Sequence, residues 1–194
     1  MRFNWLRIVS MSRSRRANRK AALARERLRE RYRPAQVRVL FVGEAPPASG
    51  KFFYRADSGL YRAIRDTFVT ALPPLKDASF LESFYALGCY LVDLCGIPVD
   101  RLTRDQRRRA CVQGEVRLSQ TLKQLRPKIV VVVVRSIAAN VIRSLERANW
   151  RGTLLELPYP GRWQHHRVAF KEALTPVLLE ELGQTGPGGR FLSG

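Results

Sequence analysis

The chain has 194 residues, with 35 Lys and Arg against 16 Asp and Glu, a formal net charge of +19. That length suits one α/β domain with a substantial core, and the longest apolar run, Ile129 to Val134, is far too short to cross a bilayer. Its three cysteines, Cys89, Cys95 and Cys111, form no C-x-x-C pair and support neither a disulfide framework nor a zinc or iron–sulfur site. Buried structural thiols in a reducing cytoplasm are the expectation, and no cofactor is expected. The charge is spread along the chain: residues 1–34 carry 12 Lys and Arg against Glu26 and Glu30, and the remaining 160 still carry 23 against 14. Because the folded part is basic in its own right, nucleic acid is the leading polyanionic partner. The plain alternative is a solvated basic face.

Met1 to Ser10 lacks an apolar segment followed by a small-residue cleavage site, so it is not read as a signal peptide. Met11 is an alternative start. Ala21, Ala24, Leu28 and Tyr32 fall on one helical stripe, which predicts a helix from about Asn18, preceded by a disordered basic arm and ended by Pro34. Residues 1–34 thus form a basic arm and helix, residues 35–182 one folded domain, and 183–194 a Gly-rich flexible tail.

Val37 to Val42 is a short apolar run, rich in β-branched residues, that stops at Gly43 and reads as a buried strand. Glu44 follows it, and Pro46 and Pro47 stiffen the turn. Gly50-Lys51-Phe52-Phe53-Tyr54 adds an aromatic cluster. A rigid carboxylate beside aromatics at the carboxyl end of a strand suits a flat ligand, since open α/β sheets bind ligands at that edge.

Asp57 or Ser58 caps a helix burying Leu60, Ile64 and Phe68, closed by Pro73-Pro74. Asp77 caps a second helix, with Phe80, Leu81, Phe84 and Leu87 buried and Gly88 as its stop. Cys89 to Leu94 is the second strand. Thr103 and Gln106 have capping-box spacing for a helix reaching about Leu125. Ile129 to Val134, an unbroken apolar run, is a central parallel strand buried on both faces. Ser136 caps a helix over Ile137 to about Leu145, Thr153 to Leu157 is the fourth strand, and a helix from Val168 to Glu181, kinked or restarted at Thr175-Pro176, closes the fold. Alternating strands and helices without a repeat predict a three-layer α/β/α sandwich around a four-stranded parallel sheet, order 2-1-3-4. Glu44, Asp93 and Tyr159 then share its carboxyl edge.

Gly43-Glu44-Ala45-Pro46 resembles the Gly-Glu-Ala-Pro-Gly first motif of the uracil-DNA glycosylase superfamily, in its family-four-like branch, with Pro47 in place of the last glycine. Gly50-Lys51-Phe52-Phe53-Tyr54 is similar to the segment whose Phe stacks on the extruded base, and Phe53 matches that Phe. Pro158-Tyr159-Pro160-Gly161 occupies the place of the second motif. The resemblance covers roughly residues 35 to 182. Three features depart from it. Tyr159 stands where the second-motif His is expected. Leu91 and Asp93 are the residues nearest the missing uracil-reading Asn, and the cysteine quartet of the family-four branch is absent.

The resemblance implies a monomeric DNA glycosylase-like protein, nucleoid-associated, that flips a damaged base out of DNA and hydrolyses its N-glycosidic bond. A non-catalytic nucleic-acid-binding member of the same fold is the alternative. Glu44 would orient water or stabilise the cationic sugar, or merely cap its own turn. Phe53 would be a stacking platform or a core aromatic. Tyr159 would donate to a base carbonyl or cap the sheet, and Asp93 would accept from the base or pair with an arginine. Gly43, Ala45 and Pro46 would frame the base. Trp163 would wedge into the duplex or lead a helix, with Arg162, Gln164 and His165 beside it on DNA. His165 and His166 have no metal-ligand spacing and read as surface groups.

Overall fold

The computed structural model describes residues 5–76, 79–161 and 163–183, and the chain divides into two compact units, Met1–Arg31 and Tyr32–Gly194. The first unit is a single helix, α1 (Trp5–Glu30), with an ion pair of 2.6 Å between Glu26 and Arg29. It begins well before Asn18, so the stretch expected to be a disordered arm is helical from Trp5 onward. No Gly or Pro interrupts the chain between Trp5 and Asn18, and its Arg, Leu and Ala are good helix formers.

The second unit holds four parallel strands, β1 (Val39–Gly43), β2 (Cys89–Asp93), β3 (Ile129–Val132) and β4 (Thr153–Glu156), in the order β2-β1-β3-β4. Val42 lies in register with Val92 on one side and Val132 on the other. Order reverses between β1 and β3, so the crevice beyond their carboxyl ends is where such sheets place ligands. Five helices flank the sheet: α2 (Gly59–Ala71), α3 (Phe80–Ala86), α4 (Arg104–Leu125), α5 (Ala138–Ala148) and α6 (Gln164–Leu182). Helices α2 and α6 pack together, as do α4 and α5, giving the three-layer α/β/α sandwich that the alternating pattern predicts.

Period-two alternation sends Phe41 of β1 toward the first of these layers, where its ring centroid lies 5.5 Å from Phe84 and 6.2 Å from Phe68. Phe68 in turn meets Phe80 at 5.4 Å. Each such fully buried ring contributes roughly 2 kcal/mol of transfer free energy. The stripe read from the α2 and α3 sequences is therefore the aromatic heart of this layer.

Several boundaries differ from the sequence reading for local reasons. Ser58 caps α2 by accepting from the N–H of Tyr61, while the Asp57 carboxylate accepts from the N–H of Phe52. Ser136 makes no cap: it lies in a 3₁₀ turn, Arg135–Ile137, and α5 starts at Ala138 without a side-chain cap bond. Asp77 lies outside the described residues, and Ser79 occupies the N-cap position of α3. The closing helix starts four residues early, at Gln164, and runs through Pro176 as one element. The expected tail from residue 184 onward lies outside the described residues. Among the described residues, no helix is long and apolar enough to cross a membrane.

Helices α4 and α5 are tied by a buried carboxylate. Glu115 Oε1 accepts from Asn140 Nδ2 at 2.8 Å and from Arg143 Nε and Nη2 at 2.9 and 2.7 Å. Burial pushes the Glu115 carboxyl up, but the bonds from Arg143 and Asn140 outweigh it and hold the group below its usual range. A lowered folded pKa means this stabilisation is complete above the unfolded titration near about pH 4.3, and fades as pH falls through the lower folded value. Glu115→Ala is expected to cost about 2 kcal/mol in urea denaturation at pH 7, because three donor groups on two side chains lose their shared acceptor. The gap between variant and wild type should narrow as the pH is taken down toward 3.

Candidate functional site

The turn after β1 is fixed by ladder bonds that continue past the strand. The N–H of Leu94 donates to the carbonyl of Gly43 at 2.8 Å, and that of Cys95 to the carbonyl of Glu44 at 2.7 Å. On the other side, the N–H of Val133 donates to the carbonyl of Val42. The backbone of Glu44 is thus tied to the chain that follows β2, and Pro46 and Pro47 carry the chain away from it. Gly43 stands in register with Asp93, and a Cβ there would lie 3.0 Å from Asp93 Oδ1. Glycine at this position lets the Asp93 carboxylate lie over the end of β1.

The Glu44 carboxylate is held by a side chain that the sequence reading passed over. Arg107 donates from Nε to Oε1 and from Nη2 to Oε2, the bidentate fork that gives a guanidinium its orientational strength. Arg107 is placed by the capping box at the start of α4, where Gln106 N–H donates to Thr103 Oγ1 at 3.3 Å and Thr103 N–H to Gln106 Oε1 at 3.0 Å. The bond to Glu44 holds the Arg107 guanidinium above its usual range, outweighing partial burial. Cys111 of α4 lies behind the pair, its Sγ 3.8 Å from Glu44 Oε1 and 3.7 Å from Cys95 Sγ. Burial raises the thiols of Cys95, to about 12, and of Cys111, so both stay protonated. All three cysteines are buried, as expected from their apolar surroundings.

These groups open onto one cavity of about 290 Å³ at the carboxyl edge of the sheet. Gly43, Glu44, Ala45, Pro46, Phe53, Asp93 and Tyr159 all line it, so every residue assigned to catalysis or base contact from the sequence meets in one place. Phe52, Asp100 and Arg107 join them. Asp100 is oriented by the N–H of Ala48, which donates to its Oδ2 at 2.7 Å. Burial, and then the Asp100 charge, raise the Tyr159 phenol above its usual range, so it stays a hydrogen-bond donor.

Phe53 packs as a core aromatic at the wall of the cavity. Its ring lines the cavity, yet it is only 3 % exposed and packs against Phe84 at 5.2 Å and edge-on to Tyr61 at 5.7 Å. Tyr54, by contrast, serves the sheet: its hydroxyl accepts from the N–H of Leu91 at 2.7 Å and donates to the Leu91 carbonyl at 3.0 Å, satisfying the outer edge of β2.

The second loop is closed by Arg167 of α6, which donates to the carbonyls of Pro160 and Gly161. Tyr159 at its tip is 46 % exposed. Just beyond, Trp163 is 56 % exposed and stacks at 6.4 Å on His165, which itself meets His166 at 4.3 Å. Trp163, Gln164 and His165 thus form an exposed group at the start of α6 and are not part of the cavity wall. Arg162 lies outside the described residues. No group of three or more His, Cys, Asp or Glu among the described residues is arranged to hold a metal ion.

The model of the uracil DNA glycosylase superfamily matches residues 30–183. A search of curated proteins finds no match to the chain. The family match spans the whole sheet, the cavity and both loops that close it, and on that basis the chain belongs to the uracil DNA glycosylase superfamily.

Proposed function

We propose that this protein is a DNA glycosylase-like hydrolase that binds DNA, takes a deaminated or otherwise modified base into the cavity and hydrolyses its N-glycosidic bond. The observation that carries the reading is Glu44, a carboxylate locked at the end of a central strand and facing a cavity shared with Phe53, Asp93 and Tyr159. Glycosidic cleavage passes through a cationic, oxocarbenium-like sugar, and a fixed negative charge beside it lowers that barrier without reorganisation. The Phe53 ring at the cavity wall would serve as a stacking platform for a base, and the exposed Trp163 would be the side chain that fills the gap left by a flipped nucleotide.

A second reading has its own observation. Glu44 is already neutralised by Arg107, which favours a binding member of the fold in which the carboxylate is structural. Oligonucleotides carrying uracil, hypoxanthine, xanthine or an alkylated base, incubated with the protein and then treated with alkali, separate the two. Strand scission at one of them supports the hydrolase; none across the panel, with DNA still bound, supports the binding role.

Binding itself should be strongly salt-dependent, because a surface with 23 Lys and Arg against 14 acids beyond residue 34 displaces counterions from the phosphates. Log affinity is expected to fall linearly with log salt concentration, and removal of residues 1–31 should flatten the slope without abolishing binding at low salt. Loss of all binding in the shortened chain would confine the DNA contact to α1.

A further inference from the structure

We propose that the amino edge of the sheet carries a second nucleic-acid site, which holds a single-stranded segment with a base against Trp150 and phosphates against Lys123, Arg126 and Arg151. A cavity of about 430 Å³ opens there, within the ~300–1,000 Å³ range of small-ligand clefts. Its wall comes from the ends of α4 and α5 and from the turns that lead into β3 and β4. Since the strands are parallel, the carboxyl-edge cavity lies at their other end, at least four residues of about 3.3 Å away. One base cannot occupy both.

The charge of this wall is of one sign. Lys123, Arg126 and Arg151 line it, all three exposed, and among the described residues no Asp or Glu does. Neighbouring cations that tie the fold together have carboxylate partners: Lys128 donates to Glu181 at 2.7 and 2.9 Å, and Arg143 to Glu115 at 2.7 Å. Among the described residues, the three at the cavity make no such bond. Arg126 has φ 46° at the C-cap of α4, a left-handed position that favours glycine, yet it carries a guanidinium. Cations also suit the negative end of a helix, with or without a ligand. What sets these apart is the ring that shares their wall.

That ring is Trp150. It is half-buried, and its Nε1 donates to the carbonyl of Pro127 at 2.7 Å. Gly152 closes on it so tightly that a Cβ there would lie 2.4 Å from Cζ2. The indole is thus fixed, its one donor is spent inside the protein, and what it offers the cavity is aromatic surface. A fixed aromatic among unpaired cations suits a nucleotide of a single strand, because every base has a π-face to stack and its flanking phosphates meet the cations. Bases within a duplex are stacked on one another and leave no face for the indole. An anionic lipid surface would satisfy the cations alone.

The test is fluorescence anisotropy of a labelled oligothymidylate with the full chain over a range of salt. Arg126→Ala/Arg151→Ala is compared with Arg65→Ala/Lys171→Ala, which removes the same charge from exposed positions on α2 and α6. The first pair is expected to weaken binding ~10-fold or more and to make the slope of log affinity against log salt shallower by about 1.4, two charges at about 0.7 each on a single strand. The control pair should move both far less. Trp150→Leu should weaken binding several-fold with the slope unchanged, because stacking releases no counterions. Thermal melts check that each variant folds. An oligonucleotide carrying 5-iodouracil needs no variant: light-induced crosslinks at Trp150 uphold the inference, and crosslinks only around Tyr159 and Trp163 overturn it. Equal loss in both pairs also overturns it. So does a first pair that lowers Tm and leaves binding intact, the mark of cations that serve only the helix ends. Loss of binding to phosphatidylserine vesicles with oligothymidylate binding kept would overturn it in favour of a lipid surface. None of these outcomes depends on whether a base is hydrolysed, so the glycosylase reading is judged apart.

Discussion

Replacing Glu44 with Gln is expected to slow base release in a single turnover by about 10²-fold or more, while affinity for the same damaged duplex hardly moves. The figure is that for losing one preorganised group aimed at charge developing in a transition state. Gln keeps the shape and the acceptor oxygen, so the change isolates the negative charge. Arg107 is half-exposed, so it can turn to water or to a phosphate when its partner is neutralised, and the variant should fold. Unfolding midpoints of the two proteins check this. Equal cleavage rates at equal bound fraction would remove Glu44 from the chemistry and leave its fork with Arg107 as a structural tie.

The largest effect on stability is expected at Gly114, in the middle of α4. A Cβ there would lie 2.3 Å from the carbonyl oxygen of Leu94, closer than real Cβ contacts come, and the obstacle is backbone. Gly114→Ala must therefore push α4 off the end of β2. Overpacking of this kind costs about 2–3 kcal/mol, a fall in Tm of roughly 5–10 °C for a chain of this length. The same shift would disturb the site. Leu94 N–H bonds Gly43, Arg117 of α4 donates to the carbonyls of Asp93 and Leu94, and Arg107 rides on the same helix. Base release should fall together with Tm. An unchanged melting temperature would mean that α4 and β2 are less tightly fixed than the contact at Gly114 requires.

How much of this was legible in the sequence depended on how local the signal was. The strands are legible because runs such as Cys89 to Leu94 stand between breakers, Gly88 on one side and Gly96 and Pro98 on the other, although the third strand ends at Val132, two residues short of its apolar run; the capping box at Thr103 is legible because its two partners are three residues apart. The sheet order and the meeting of Glu44, Asp93 and Tyr159 at one edge followed from topology rules. Arg107 was missed as a partner of Glu44 because 63 residues separate them, and nothing in a run of three arginines marks the one that turns inward. Asp100 sits in a loop whose path only the folded chain defines. Ser136 failed as a cap because the chain first makes a 3₁₀ turn, a choice set by the packing of Ile137, which is buried, and not by the serine. At α1 local propensity decided the matter, and it favoured helix further toward the N-terminus than the thin apolar stripe suggested.

The central claim is that the cavity at the carboxyl edge receives a base drawn out of the DNA stack. The measurement that tests it most directly is the fluorescence of 2-aminopurine placed next to a single damaged base in a duplex. Stacking quenches this probe, and extrusion of its neighbour relieves the quenching. Titration with the protein should raise the signal to saturation at one protein per lesion, with little change in an undamaged duplex of the same sequence. A damaged duplex that is bound without any rise in fluorescence would contradict the account, since DNA would then rest on the basic surface with every base still stacked.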